Sequence, residues 1–131
     1  MAQLMTISEM RDRYKKTEDA FDLTIEKWIR IRRFVDTAST VSDFDELLQA
    51  ANVAIPFCFE YQIKGCLGCP FGKMCGRGKG EKLLKVMRLI QIHALAILAG
   101  NMLLKDQLIL EIDDLLMELK RIQAKSYGLG Q

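Results

Sequence analysis

Apolar residues recur at steps of three and four along residues 7–35, through Ile7, Met10, Tyr14, Thr17, Phe21, Thr24, Trp28, Ile31 and Val35. Seven of these nine positions are apolar, the stripe of one long heptad-like helix. Arg11, Asp12, Lys15, Lys16, Glu18, Asp19, Asp22 and Glu26 occupy the other faces and read as a solvated surface. Aromatics at this spacing, Tyr14, Phe21 and Trp28, read as core. A small polar break follows at residues 37–40. Ser42 then opens a second helix, with Asp45 three residues on in a capping-box position. Phe44, Leu47, Leu48 and Ala51 give that helix an apolar face, and it must end before Pro56.

The pattern changes over residues 57–80. This stretch holds all four cysteines and six of the nine glycines, a density that opposes helix and predicts a loop needing an external hold. Helical periodicity returns from Glu81. Leu83, Leu84, Met87, Ile90 and Ala94 share one face, and Lys82, Lys85 and Arg88 another. Beyond Ile92 the helix is apolar on all sides and is expected to run through the centre of the core. A break falls at Gly100-Asn101 or at Lys105-Asp106. A last helix carries Leu108, Ile112, Leu115, Leu119 and Ile122 inward. No strand pattern and no internal repeat is visible. The expected architecture is a single all-α domain over residues 1–131. It is a bundle of about four helices with the Gly-rich four-cysteine loop between its two halves.

The composition is that of a soluble globular chain: half of its 131 residues are hydrophobic and 27% are charged. The most apolar run, residues 89–104, is short of a bilayer span and contains Gln91, His93 and Asn101. The first residues lack the basic and apolar regions of a secretory signal. The expectation is an intracellular (cytoplasmic) protein without a membrane partner, where clustered cysteines favour metals over disulfides.

The cysteines are Cys58, Cys66, Cys69 and Cys75, spaced C-x7-C-x2-C-x5-C within 18 residues. A C-x2-C turn aims two sulfurs at one point, and Gly65 and Gly68 relieve its steric cost. Four thiolates complete a shell that suits zinc or an iron–sulfur cluster. A pair of disulfides is the competing arrangement. Structural zinc sites usually use two close pairs, and only one close pair is present here.

The segment Cys66-Leu-Gly-Cys69-Pro-Phe-Gly-Lys-Met-Cys75 resembles the C-x2-C-P-[YF]-x3-C cluster of the iron–sulfur RecB-like nucleases, including the CRISPR-associated ones. The resemblance implies a [4Fe–4S] cluster on Cys66, Cys69 and Cys75, with Cys58 as the fourth ligand. It covers ten residues. In that family the first cysteine lies far upstream, across a nuclease domain whose strands and carboxylates this chain lacks. Only the ligand chemistry carries over, and it tips the balance to [4Fe–4S] ahead of zinc.

Charge is concentrated in the same place. Residues 1–57 hold 8 basic and 10 acidic side chains, residues 58–88 hold 7 and 2, and residues 89–131 hold 4 and 5. Lys64, Lys73, Arg77, Lys79, Lys82, Lys85 and Arg88 form the positive block. A Gly-rich segment feeding a helix start, flanked by Lys73, Arg77, Lys79, Lys82, Lys85 and Arg88, is a candidate surface for nucleic-acid phosphate. The same charges also balance an anionic metal–thiolate centre. Residues 72–79 miss P-loop spacing by one residue, and Gly80 stands where Ser or Thr would bind magnesium.

His93, the single histidine, is expected in the core, hydrogen-bonded, with a reserve role as a ligand in place of Cys58. Asp113-Asp114 reads as a solvated pair, and no catalytic constellation is visible. Three readings follow: a non-enzymatic metal-binding module presenting a basic patch to nucleic acid or another anionic partner; an iron–sulfur redox or sensor protein; and a structural or assembly protein, of the kind small viral or archaeal genomes carry, whose heptad-like helices pair as a homodimer.

Overall fold

The structure is a computed structural model and describes residues 4–53 and 82–126. The described residues form five helices and no strand: α1 (Ile7–Lys15), α2 (Ala20–Thr37), α3 (Val41–Ala51), α4 (Lys82–Leu98) and α5 (Asp106–Ser126).

The single long helix expected over residues 7–35 is two helices. Thr17, a position on the apolar stripe, adopts φ +67° and is exposed. The N–H of Thr17 donates to Tyr14 O at 3.0 Å and that of Glu18 to Arg13 O at 3.3 Å, the paired bonds of a Schellman ending. Asp19 then caps α2, its carboxylate accepting from the Asp22 N–H at 2.9 Å. Apolar periodicity continues across the break. It is overridden by a polar run that ends one helix and caps the next. The corner is braced by charge. Arg13 reaches Glu9, Glu18 and Glu26, and Arg30 reaches Glu9 and Glu26. These carboxylates hold both guanidiniums above their ordinary pKa, while Arg13 holds Glu18 and Glu26 below theirs.

The second helix starts two residues earlier than its sequence suggests. Thr40, not Ser42, is the N-cap, and Asp43, not Asp45, completes the capping box. The Asp43 carboxylate accepts from the amides of Ser39 and Thr40 at 2.9 and 3.1 Å, which depresses its pKa. The T-V-S-D-F-D text supports either register. The short turn after α2, with Ala38 buried in it, selects the earlier one.

Named contacts fix the directions of the helices. Gln123 bonds Asp22 and Arg32 bonds Asp113, so α2 and α5 are antiparallel. Lys82 faces Asp114 and Lys85 faces Glu111, so α4 and α5 are antiparallel. Lys27 on α2 reaches the end of α3, and α3 begins just after α2 ends, so these two are antiparallel as well. The helices pack as α2 on α3, α3 on α4, α4 on α5 and α5 on α2, with α1 against α2. This is an up-down-up-down four-helix bundle with one short extra helix. Its core holds Leu23, Trp28, Ile31, Val35, Phe44, Leu47, Val86, Ile90, Leu108, Ile112, Leu115 and Leu119, all buried. Each fully buried Leu, Ile or Phe contributes about 2 kcal/mol.

One expectation for α4 is overturned. Its inner face carries buried Val86, Ile90 and His93, but beyond Ile92 its outer face is open rather than enclosed by the core. Ile92, Leu95 and Leu98 are exposed, and so are Met102, Leu103 and Leu104 in the connection to α5. With only α3 and α5 packed against it among the described residues, α4 keeps an open outer face, and apolar residues fill it. The helix ends at Gly100, φ +84°, where the Gly100 N–H donates to Ile97 O and that of Asn101 to Ala96 O. Both candidate breaks are therefore used: Gly100 ends α4, and α5 starts at Asp106.

Candidate functional site

Because α3 and α4 are antiparallel neighbours, the chain leaves α3 and re-enters α4 at the same end of the bundle. The four cysteines, Cys58, Cys66, Cys69 and Cys75, and the basic residues Lys73, Arg77 and Lys79 all lie outside the described residues. The described part of the site is the platform to which their segment is joined.

Lys27 holds the exit. It projects from α2, is buried, and its Nζ donates to Ala51 O at 2.9 Å and Val53 O at 2.8 Å. Carbonyls at a helix C-terminus lack partners within the helix and carry the negative end of its dipole, so an ammonium there is doubly favoured. The Lys27 Nζ also lies 5.2 Å from the centroid of the Trp28 ring. Nothing local in the sequence announces this role, since Lys27 sits among the charges of an apparently solvated face.

The entry to α4 is basic, as the sequence suggests, but its charges are shared. Lys82 Nζ lies 3.6 Å from Asp114, and Lys85 Nζ lies 3.5 Å from Glu111. These distances are those of loose pairs, with both lysine side chains exposed while Glu111 is mostly buried, and a stronger anion can displace the carboxylates. Arg88 is exposed one turn further on. Asp113 and Asp114, adjacent in sequence, serve different helices: Asp113 accepts from Arg32 Nε at 3.0 Å, and Asp114 faces Lys82. They do not act as one carboxylate pair.

His93 lies in the core. Its ring stacks on Phe44 with centroids 5.2 Å apart and planes 9° from parallel. Burial, and secondarily the charge of Lys105, push its pKa below the ordinary value. It stands eleven residues into α4, about 16 Å along the axis from the basic entry. That depth fits a packing role better than a reserve ligand. Among the described residues, no three His, Cys, Asp or Glu side chains group as a metal site. No helix among them is long and apolar enough to cross a membrane.

The opposite end of the bundle has its own cation. Lys105 Nζ donates to Val35 O at 2.9 Å and also reaches Asp36 O, neutralising the C-terminus of α2, whose last turn has no basic residue. Comparison with family models, with curated proteins and with solved structures finds no match to the chain.

Proposed function

We propose that the chain is a small non-enzymatic binding module. In this reading Cys58, Cys66, Cys69 and Cys75 hold a metal centre, [4Fe–4S] ahead of zinc. The basic residues around it, Lys73, Arg77 and Lys79 with Lys82, Lys85 and Arg88, engage nucleic-acid phosphate. One observation carries the reading. The described helices already build an extensive core, and the cysteine segment is joined to them where the exposed basic turns of α4 begin. A rigid helical platform with an anchored exit at Lys27 supports a metal-shaped loop without taking part in its chemistry.

The test has two stages. Iron, zinc and acid-labile sulfide are measured per chain after anaerobic purification, and retention of single- and double-stranded nucleic acid is then measured across salt. Support is a stoichiometric metal centre together with salt-sensitive binding that is lost in Arg77→Ala/Lys79→Ala. A metal-free chain, or no binding at low salt, overturns the reading.

A redox or sensing role is the second reading, favoured by the C-x2-C-P-F-x3-C text. It requires a brown protein with a reversibly bleached absorption band. A colourless zinc protein removes it.

A further inference from the structure

The outer face of α4 and the connection that follows it form an apolar surface towards the bundle end opposite the end of α3 and the start of α4. Ile92, Leu95, Leu98, Met102, Leu103 and Leu104 compose it, with Leu95 64%, Leu98 68% and Leu104 83% exposed. From residue 89 to residue 104 the sequence contains no charged side chain. The six side chains present on the order of 700 Å², above the largest apolar patch of an ordinary monomer. We propose that this surface is a twofold interface through which two copies of the chain associate. The proposal does not depend on what the cysteines bind.

Three observations select a second copy as the occupant. The area is close to the roughly 800 Å² each partner contributes to a stable standard-sized interface. The patch is neutral throughout, so pairing it with itself brings no like charges together and leaves no ion unpaired. Interfaces between identical chains are also more apolar than transient ones, as this surface is. A membrane surface fits less well. The charges that bracket the patch in sequence are Arg88 on one side and Lys105 and Asp106 on the other. Lys105 is turned onto the carbonyls of Val35 and Asp36 and does not offer its ammonium to lipid.

The decisive experiment is the mass of the full chain in solution across concentration, in reductant so that no intermolecular disulfide contributes. The expected species is about twice the 15.0 kDa chain mass. Leu95→Glu/Leu98→Glu is expected to weaken association at least about 100-fold with unchanged helical circular dichroism. Leu104→Glu, in the connection and most exposed of the six, gives the same result if the double variant folds poorly. Met117→Glu, equally exposed on α5 at 70%, leaves the dimer intact. A wild-type monomer up to about 100 µM overturns the proposal. So does a dimer indifferent to Leu95, Leu98 and Leu104, a monomer that binds neutral vesicles through this face, or a monomer whose patch cross-links to its own residues 54–81.

Discussion

The His93 imidazole lies flat against the Phe44 ring, 5.2 Å between centroids and 9° from parallel, and so ties the middle of α4 to the first turn of α3. Protonation would place a cation in that stack, next to the ammonium of Lys105. Burial first and Lys105 second hold the folded-state pKa below the ordinary 6.5. Below 6.5 the unfolded chain therefore binds more protons than the folded one, and stability falls with acidification through that window. Urea midpoints between pH 7.5 and 5 should decrease in the wild type and change less in His93→Phe. Equal slopes in the two proteins would exclude His93 as the cause.

Lys27→Met keeps the length of the side chain and removes its charge. It strands the carbonyls of Ala51 and Val53, both served by the Lys27 ammonium. A cost of about 2 kcal/mol is expected. It should come with faster amide exchange at the end of α3 and little change in α5. A neutral or stabilising result would show that the freed carbonyls find water.

Thr17 is a β-branched residue in the left-handed region, where glycine is the natural occupant. Thr17→Gly should raise stability by about 1 kcal/mol in equilibrium urea unfolding. Thr17→Ala, which keeps the Cβ, should not. If both gain equally, the Thr17 backbone is not the strained element.

The ion network around Arg13 stitches α1 to α2 and lies on the surface, so it is open to screening. Glu26 serves both Arg13 and Arg30. Glu26→Gln is expected to loosen α1 at a cost of at most about 1 kcal/mol, and high salt should mimic the substitution. Glu18 and Glu26 are held below the ordinary 4.5, so their contribution is complete above that pH and lost as pH falls through the lowered values. Limited proteolysis at Lys15-Lys16 should therefore rise with salt and with acid before the four-helix core opens.

The four-helix core was legible because its stripes are local. Phe44 and Leu47, or Leu108, Ile112, Leu115 and Leu119, announce their faces by spacing alone. Boundaries were less so. Thr17 keeps the heptad rhythm while breaking the helix, and two overlapping cap texts compete around Ser42. Long-range cations were invisible: Lys27 and Lys105 look like surface residues until the bundle brings helix ends to them. The outer face of α4 misled for a related reason, since an all-apolar helix reads the same whether it is buried in its own chain or open to a second one. The cysteine cluster stood out by spacing, yet spacing says little about how its loop is held. Among the described residues, the contact that bears on this, from Lys27 to Val53, lies at long range.

Antiparallel neighbours such as α3 and α4 ordinarily need only two to eight residues to connect them. This chain spends about thirty between Ala51 and Lys82. The helices that flank this span supply the core of the described residues, so the bundle serves as a chassis and the cysteine segment as a cassette joined to it. Related chains are then expected to differ most in the length and cysteine number of that cassette, while the chassis keeps its four stripes. A version with the cassette cut to a short Gly-Ser turn should still fold.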